Sequence, residues 1–492
     1  MKRIITLLVA ILMLLPMIVS CSNNSTEVVG TEPLVDEDEG LLLSDKVKGV
    51  QFDGEDINIW QVTVATNAAE YFYDMNGDME GDIISQEIFK RNAEVEAYLN
   101  VNINFIDGGS ESSNAATDCR PLLQSGSEQF DAYELIQWNG MSLVTEGWFK
   151  NLDDSNYLDF EGEWWSEDFM DAAKINGRNY VMAGDVGIDM VSCAASIFVN
   201  KDMLAKFYGE DAYEELRTMV LNGEWTIDEI TKLAKGTYDD LNGNEVVDIE
   251  DQFGFLSSQN HIDGWYFGAG GTTIVRDNEG NAVLSMGDEY TIDIMERLYR
   301  VMHVESPNDY GNNAGTTQIY NNKHQSTLVE KFSKGEMMFC IGYLYTSRNL
   351  TNMEDEFAPL PYPKYNTDQE EYYSILHNIV TLFAIPTSCL KYDQTSAAFE
   401  VMASFGKQKI VPFYYETMLK IRYLDNAEDA KLVDLIYNAR MSDIGVIFNT
   451  KAFSIPRKMI QEKSMNMSRY ITTFKNDIQT DLNKINGFNL PG

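Results

Sequence analysis

One stretch carries oxygen ligands at the spacing a hard cation needs. DDLNGNEVVDIED (239–251), counted from Asp240, offers Asp240, Asn242, Asn244, the Val246 carbonyl, Asp248 and Asp251. These are the ligand positions of a twelve-residue calcium loop. Two residues depart from that pattern. Glu245 stands where glycine usually takes the sharp turn, and a left-handed backbone there costs about 1 kcal/mol. Asp251 replaces the longer glutamate that would grip the ion with both oxygens. The same residues also read as a solvated turn closed by Asx hydrogen bonds, with no metal. Calcium is therefore a candidate structural ion and no cofactor is required. One loop alone supplies no paired switch.

Other chemistry is sparse. The four histidines (His261, His303, His324, His377) form no H-E-x-x-H cluster, and there is no G-x-x-x-x-G-K-[ST] phosphate loop. The 77 carboxylates make a glycosidase pair arithmetically easy, but their separation cannot be read from sequence. The net charge of −40 opposes nucleic-acid and anionic-membrane surfaces. With 44% hydrophobic residues over 492 positions, the chain can build two or three real cores.

The start reads as an export signal. Lys2 and Arg3 precede IITLLVAILMLLPMIV, an apolar run shorter than the roughly 20 residues a spanning helix needs. It ends in IVSC, which resembles a bacterial lipobox with Cys21 as the lipidated residue. Residues 1–20 are then a signal peptide, and 21–52 a lipidated cysteine with a polar, acidic, disordered tether. The chain is expected outside the cell, or on the periplasmic face, held to the cytoplasmic membrane by lipid alone. Cys119, Cys193, Cys340 and Cys389 allow disulfides in that setting, but buried free thiols fit equally well.

Elements that position a site follow. INIWQVTV (57–64) is strand-like, SQEIFKRNAEVEAYLN (85–100) places Ile88, Val95 and Leu99 on one helical face, and VNINF (101–105) alternates as a strand. Strand, helix, strand predicts a βαβ unit in a largely parallel sheet. AYELI (132–136) is a further strand running into QWNG. Ligands bind beyond the carboxyl ends of such strands, so Trp138 is well placed to meet one. In GEWTIDEITKLAKG, Thr226 and Glu229 form a capping box before an apolar stripe of Ile227, Ile230, Leu233 and Ala234.

GEWTIDEITKLAKG…DQFGF resembles a stretch of the family 1 extracellular solute-binding proteins of carbohydrate ABC importers, the maltose-binding-protein-like lipoproteins. LIQWNG, INGRNYVMAGDV…SIFVNKDML, FSKGEMMFCIGYLY, FAPLPYPK and FAIPTSC resemble further segments of that family, in the same order. The resemblance implies an α/β, two-lobed periplasmic-binding-protein-like (type II) fold with discontinuous lobes and a hinge. It places an N-terminal lobe at 53–192 plus about 376–430, and a C-terminal lobe at 193–375 plus about 431–492. It implies a non-enzymatic, monomeric receptor for a carbohydrate ligand, with ABC permease subunits as partners. The ligand residues it implies are Trp138, Asn139, Asp185, Asn260, Trp265 and Tyr343. A peptide, polyamine or other solute as cargo on the same fold, and a secreted carbohydrate-active enzyme, are the alternatives.

Overall fold

The computed structural model describes residues 42–62, 75–109, 113–245, 247–304, 325–350, 352–416 and 427–487. The signal segment, Cys21 and Val246 lie outside them. Two four-stranded sheets organise the rest, one in each lobe.

The first sheet grows from the βαβ unit. Strand β1 (Asp56–Gln61) runs parallel to β2 (Asn102–Asp107), in register from Asp56 with Asn102 to Gln61 with Asp107. Helix α1 (Ile83–Leu99) makes the crossover. Its start is fixed by Asp82, whose side chain accepts the Ser85 N–H at 2.9 Å. It ends where Asn100 turns left-handed, at φ 52°, a conformation asparagine tolerates better than most residues. Ile84, Ile88, Val95 and Leu99 are fully buried under the sheet. Burying each such side chain contributes about 1.5–3 kcal/mol. Strand β3 (Ala132–Ile136) lies parallel to β1 on its other side.

The chain then crosses into the second lobe. There β4 (Ala195–Asn200), β5 (Phe253–Leu256), β8 (Met337–Tyr343) and β9 (Phe357–Leu360) form a sheet ordered β5-β8-β4-β9. Between them lies a small hairpin, β6 (Ile274–Arg276) with β7 (Ala282–Leu284). Phe198, Phe253, Leu256, Leu328, Phe332, Met337, Cys340 and Leu350 form one of its core clusters. Helix α2 (Ile227–Ala234) begins at Thr226, whose hydroxyl caps the Glu229 N–H. The short strand β10 (Ser374–Ile375) leads back to β11 (Thr381–Ala384), which pairs antiparallel with β3. Helix α3 (Tyr392–Phe405) packs on α1 in the first lobe, and a helix at Ala427–Asn438 packs on β9 in the second. Finally β12 (Arg440–Met441) pairs with β10. Each lobe is thus built from separated pieces of chain, with crossing segments forming the hinge.

Residues 42–52 do not behave as the end of a tether. Leu43 and Val47 are buried, Ser44 donates to Asp159, and the Ser404 hydroxyl donates to the Leu42 carbonyl. The Leu42–Ser404 bond seats this stretch on α3, and Leu43 and Val47 are buried as it does so. All four described cysteines are buried and unpaired. Among the described residues, no helix is long and apolar enough to cross a membrane.

Beneath this seat lies Glu400, fully buried, accepting from the Trp165 indole at 3.0 Å and the Asp159 N–H at 3.1 Å. Burial pushes its carboxyl up to about 7. A carboxyl with a raised folded value stabilises the fold while protonated, and that stability is lost as pH climbs from the ordinary carboxylate range through about 7. The wild type should therefore lose melting temperature between pH 5 and pH 8. Glu400→Gln should shallow that fall, and a thermal scan in which the two slopes coincide would contradict the assignment.

Candidate binding site

The residues after β3 and those after β5 and β8 reach one crossing segment: the Trp138 N–H meets the Asn378 carbonyl, and the Tyr343 ring meets His377 and His261. Trp138 begins the helix after β3 (Gln137–Val144). It is half-buried and is fixed by its backbone: its N–H donates to the Asn378 carbonyl at 2.9 Å, and Asn449 Nδ2 donates to its carbonyl at 3.1 Å. Asn139 follows it, also half-buried. From the second lobe comes Tyr343, the last residue of β8. Its ring stacks on Tyr345 (centroids 5.4 Å apart, 18° between planes) and meets His377 edge-on at 4.4 Å.

After β5 the chain turns through Gln259–His261. The Asn260 carbonyl lies 3.5 Å from the Tyr343 hydroxyl, which donates to it. His261 accepts the Ser258 N–H on Nδ1 at 3.2 Å, so its proton sits on Nε2. Burial and the nearby Arg457 push His261 down to about 3. His377 is pushed down to about 3 by the same causes, with His261 adding to them. Both rings are neutral at physiological pH. Arg457 in turn is paired with Asp263. The cluster is thus rich in ring faces and hydrogen-bonding groups, with its ionic charge internally balanced.

Of the residues anticipated from sequence, Trp138, Asn139, Asn260 and Tyr343 line this region. Trp265 is placed beneath it: fully buried, 5.2 Å from Phe255 and 5.7 Å from Tyr362, whose hydroxyl reaches the Gly342 carbonyl. Its ring is packed among these aromatics, as deeply buried as that of Tyr343. Asp185 is buried within the first lobe, 3.6 Å from Lys407, and burial raises its carboxyl to about 6. Sequence reading missed Tyr345, His261, His377 and Arg457. Only Tyr345 left a signal, in the two-residue spacing of the tyrosines in IGYLY.

Two cavities of about 280 and 390 Å³ lie elsewhere, around Trp165, Leu376 and Arg440 and around Arg276 and Asp443. Leu376 lines the first of these and its neighbour His377 the cluster. Successive residues of an extended segment point to opposite sides, so the cavity lined by Leu376 faces away from His377.

The acidic loop is held by its own Asx bonds. Asp240 accepts the N–H groups of Gly243 (2.8 Å) and Glu245 (2.8 Å), and Glu245 takes the left-handed conformation at φ 60°. Asp248 accepts from Asn244 Nδ2 at 2.8 Å. Asp251 is fully buried, with Oδ2 bonded to Tyr238 and Oδ1 without a partner. Among the described residues, no three His, Cys, Asp or Glu side chains are gathered as a metal cage.

This architecture is shared with solved proteins. A cyclo/maltodextrin-binding protein complexed with maltotetraose superposes with a TM-score of 0.54 at 11% identity, over 88% of this chain and 98% of that one. An ABC transporter associated binding protein from B. animalis subsp. lactis, in complex with β-1,6-galactobiose, gives 0.52 at 12%, over 88% and 99%. A family 1 extracellular solute-binding protein from Bifidobacterium longum subsp. infantis gives 0.51 at 13%, over 86% and 99%. The sequence itself matches no protein-family model and no curated protein. The chain has the two-lobed, discontinuous fold of the family 1 solute-binding proteins.

The placements separate two tryptophans. Trp265→Ala should cost about 3–5 kcal/mol of stability, as removing a fully buried ring does. Trp138→Ala, at a half-buried position, should cost well under half of that. Urea unfolding midpoints that rank the two the other way would contradict these placements.

Proposed function

We propose that this chain is a lipid-anchored, extracytoplasmic receptor that captures a sugar or oligosaccharide between its lobes and delivers it to the permease of an ABC importer, without catalysing a reaction. The observation that carries the reading is the cluster itself. A stacked tyrosine pair, Trp138 and the amides of Asn139 and Asn260 stand after strands of both sheets, with Asn449 bonded to the Trp138 carbonyl. Aromatic faces cover the C–H face of a pyranose, while amides and neutral imidazoles match its hydroxyls. Structural neighbours complexed with maltotetraose and β-1,6-galactobiose support the same cargo class. A polyamine is less well served, because Asp263 is occupied by Arg457. Lipidation at Cys21 and the permease partner rest on the sequence of the leader and on the fold.

Melting of the chain from Ser22 should rise with saccharides and not with amino acids, peptides or polyamines. A ligand at 100 times its dissociation constant stabilises by about 2.7 kcal/mol. Trp138→Ala should weaken the responding saccharide by about tenfold or more, equivalent to ~1.4 kcal/mol. A shift only with peptides or polyamines would keep the fold and discard the sugar.

The reading includes a structural calcium held by Asp240, Asn242, Asn244, the Val246 carbonyl, Asp248 and Asp251. It is supported by the ligand spacing and by the unpartnered, buried Asp251 Oδ1. Calcium should raise the melting temperature, Asp251→Asn should abolish the rise, and saccharide affinity should be unchanged by chelator. A melting curve indifferent to calcium would remove the ion from the account.

A further inference from the structure

Asn260 is held so that only one end of its amide is available. Arg457 donates Nε to Asp263 Oδ1 at 2.7 Å and Nη2 to Asp263 Oδ2. Its Nη1 donates to Asn260 Oδ1 at 3.2 Å. A guanidinium carries five N–H donors and no acceptor, so the amide atom it reaches has to be the oxygen. That contact settles which way the amide points. Arg457 is itself immobilised, largely buried, bidentate on Asp263 and 4.6 Å from the Phe453 ring centroid. Among the described residues, Asn260 Nδ2 meets no hydrogen-bond partner. The backbone carbonyl of the same residue accepts from the Tyr343 hydroxyl, which ties Asn260 to the aromatic cluster.

We infer that Arg457 and Asp263 are positioning residues that lock the Asn260 amide with its oxygen on Arg457, so that this side chain offers a ligand its N–H donors and not its oxygen. The inference rests on the sugar-receptor reading. It assigns to Asn260 an acceptor oxygen of the saccharide, a ring, glycosidic or hydroxyl oxygen, that receives the N–H groups. A sugar whose only group at this corner is a donor, such as an ammonium substituent, is disfavoured. Arg457 touches no ligand in this scheme; it acts through Asn260, and its own charge is spent on Asp263.

Aspartate at 260 is nearly the same shape as asparagine but is an acceptor only, which makes the substitution diagnostic. Calorimetric titration with maltotetraose and with β-1,6-galactobiose should show Asn260→Asp losing as much affinity as Asn260→Ala, more than about tenfold, while both variants melt close to wild type. Arg457→Met should lose affinity too, with Arg457→Lys restoring only part, because an ammonium cannot fork onto Asp263 while holding Asn260. Wild-type affinity in Asn260→Asp would overturn the inference, since the oxygen would then be the ligand-facing atom. If Arg457→Met does not fold, the aspartate variant decides alone. Should the wild type bind neither saccharide nor any other in the melting panel, the sugar reading fails, and this inference falls with it.

Discussion

The arrangement depends on a few backbone hydrogen bonds at the hinge. Residues 374–378 form an extended segment shared by both lobes. Ser374 and Ile375 pair with Arg440 and Met441, and the His377 N–H donates to the Cys193 carbonyl at 2.9 Å. The Leu344 N–H donates to Ala194, which joins the end of β8 to the same crossing. The Asn378 carbonyl then receives the Trp138 N–H from the first lobe. Through these contacts a tryptophan after β3, a tyrosine at the end of β8 and a histidine between β10 and β11 are tied to one crossing segment. Residues 138, 343 and 377 are far apart in sequence, and only the hinge brings them together. A short pleated segment also has two faces, and here one face meets the cluster while the other meets the cavity lined by Leu376.

Inside the cluster, neutrality is enforced by burial. Two imidazoles that would titrate near neutral pH in water are kept uncharged, and the arginine among them is tied to an aspartate. The molecule as a whole carries −40, yet the described side chains of the site present rings, amides and neutral nitrogens. An uncharged polyhydroxylated ligand suits that setting, because each of its hydroxyls can both donate and accept without leaving a buried charge uncompensated.

Much of the fold was legible in sequence, and the reason is local periodicity. The alternation of Ile103 and Phe105 and the helical stripe of Ile88, Val95 and Leu99 each reflect a neighbour-scale rule, and both elements formed where those rules put them, within a residue or two. AYELI became β3 without a change of boundary. The place of Trp138, directly after the parallel strand β3, was readable because a strand followed by a loop is itself a geometric statement. The rest was not, for different reasons. Arg457 and His377 lie far along the chain, and nothing near them in sequence marks a ligand site. The burial of Trp265 against Phe255 and Tyr362 was not legible either, because composition does not say how deep a ring will sit. Leu43 and Val47 were lost in a polar stretch for the same reason: both are buried, but two apolar residues leave no period to detect.

Hydrogen–deuterium exchange, compared with and without the saccharide that most raises the melting temperature, tests the central claim most directly. The account predicts slower exchange on ligand addition in the segments around 137–139, 257–261, 343–345 and 376–378, from both lobes and the hinge at once. Protection confined to the residues around Trp165, Arg440 and Arg276 would contradict it.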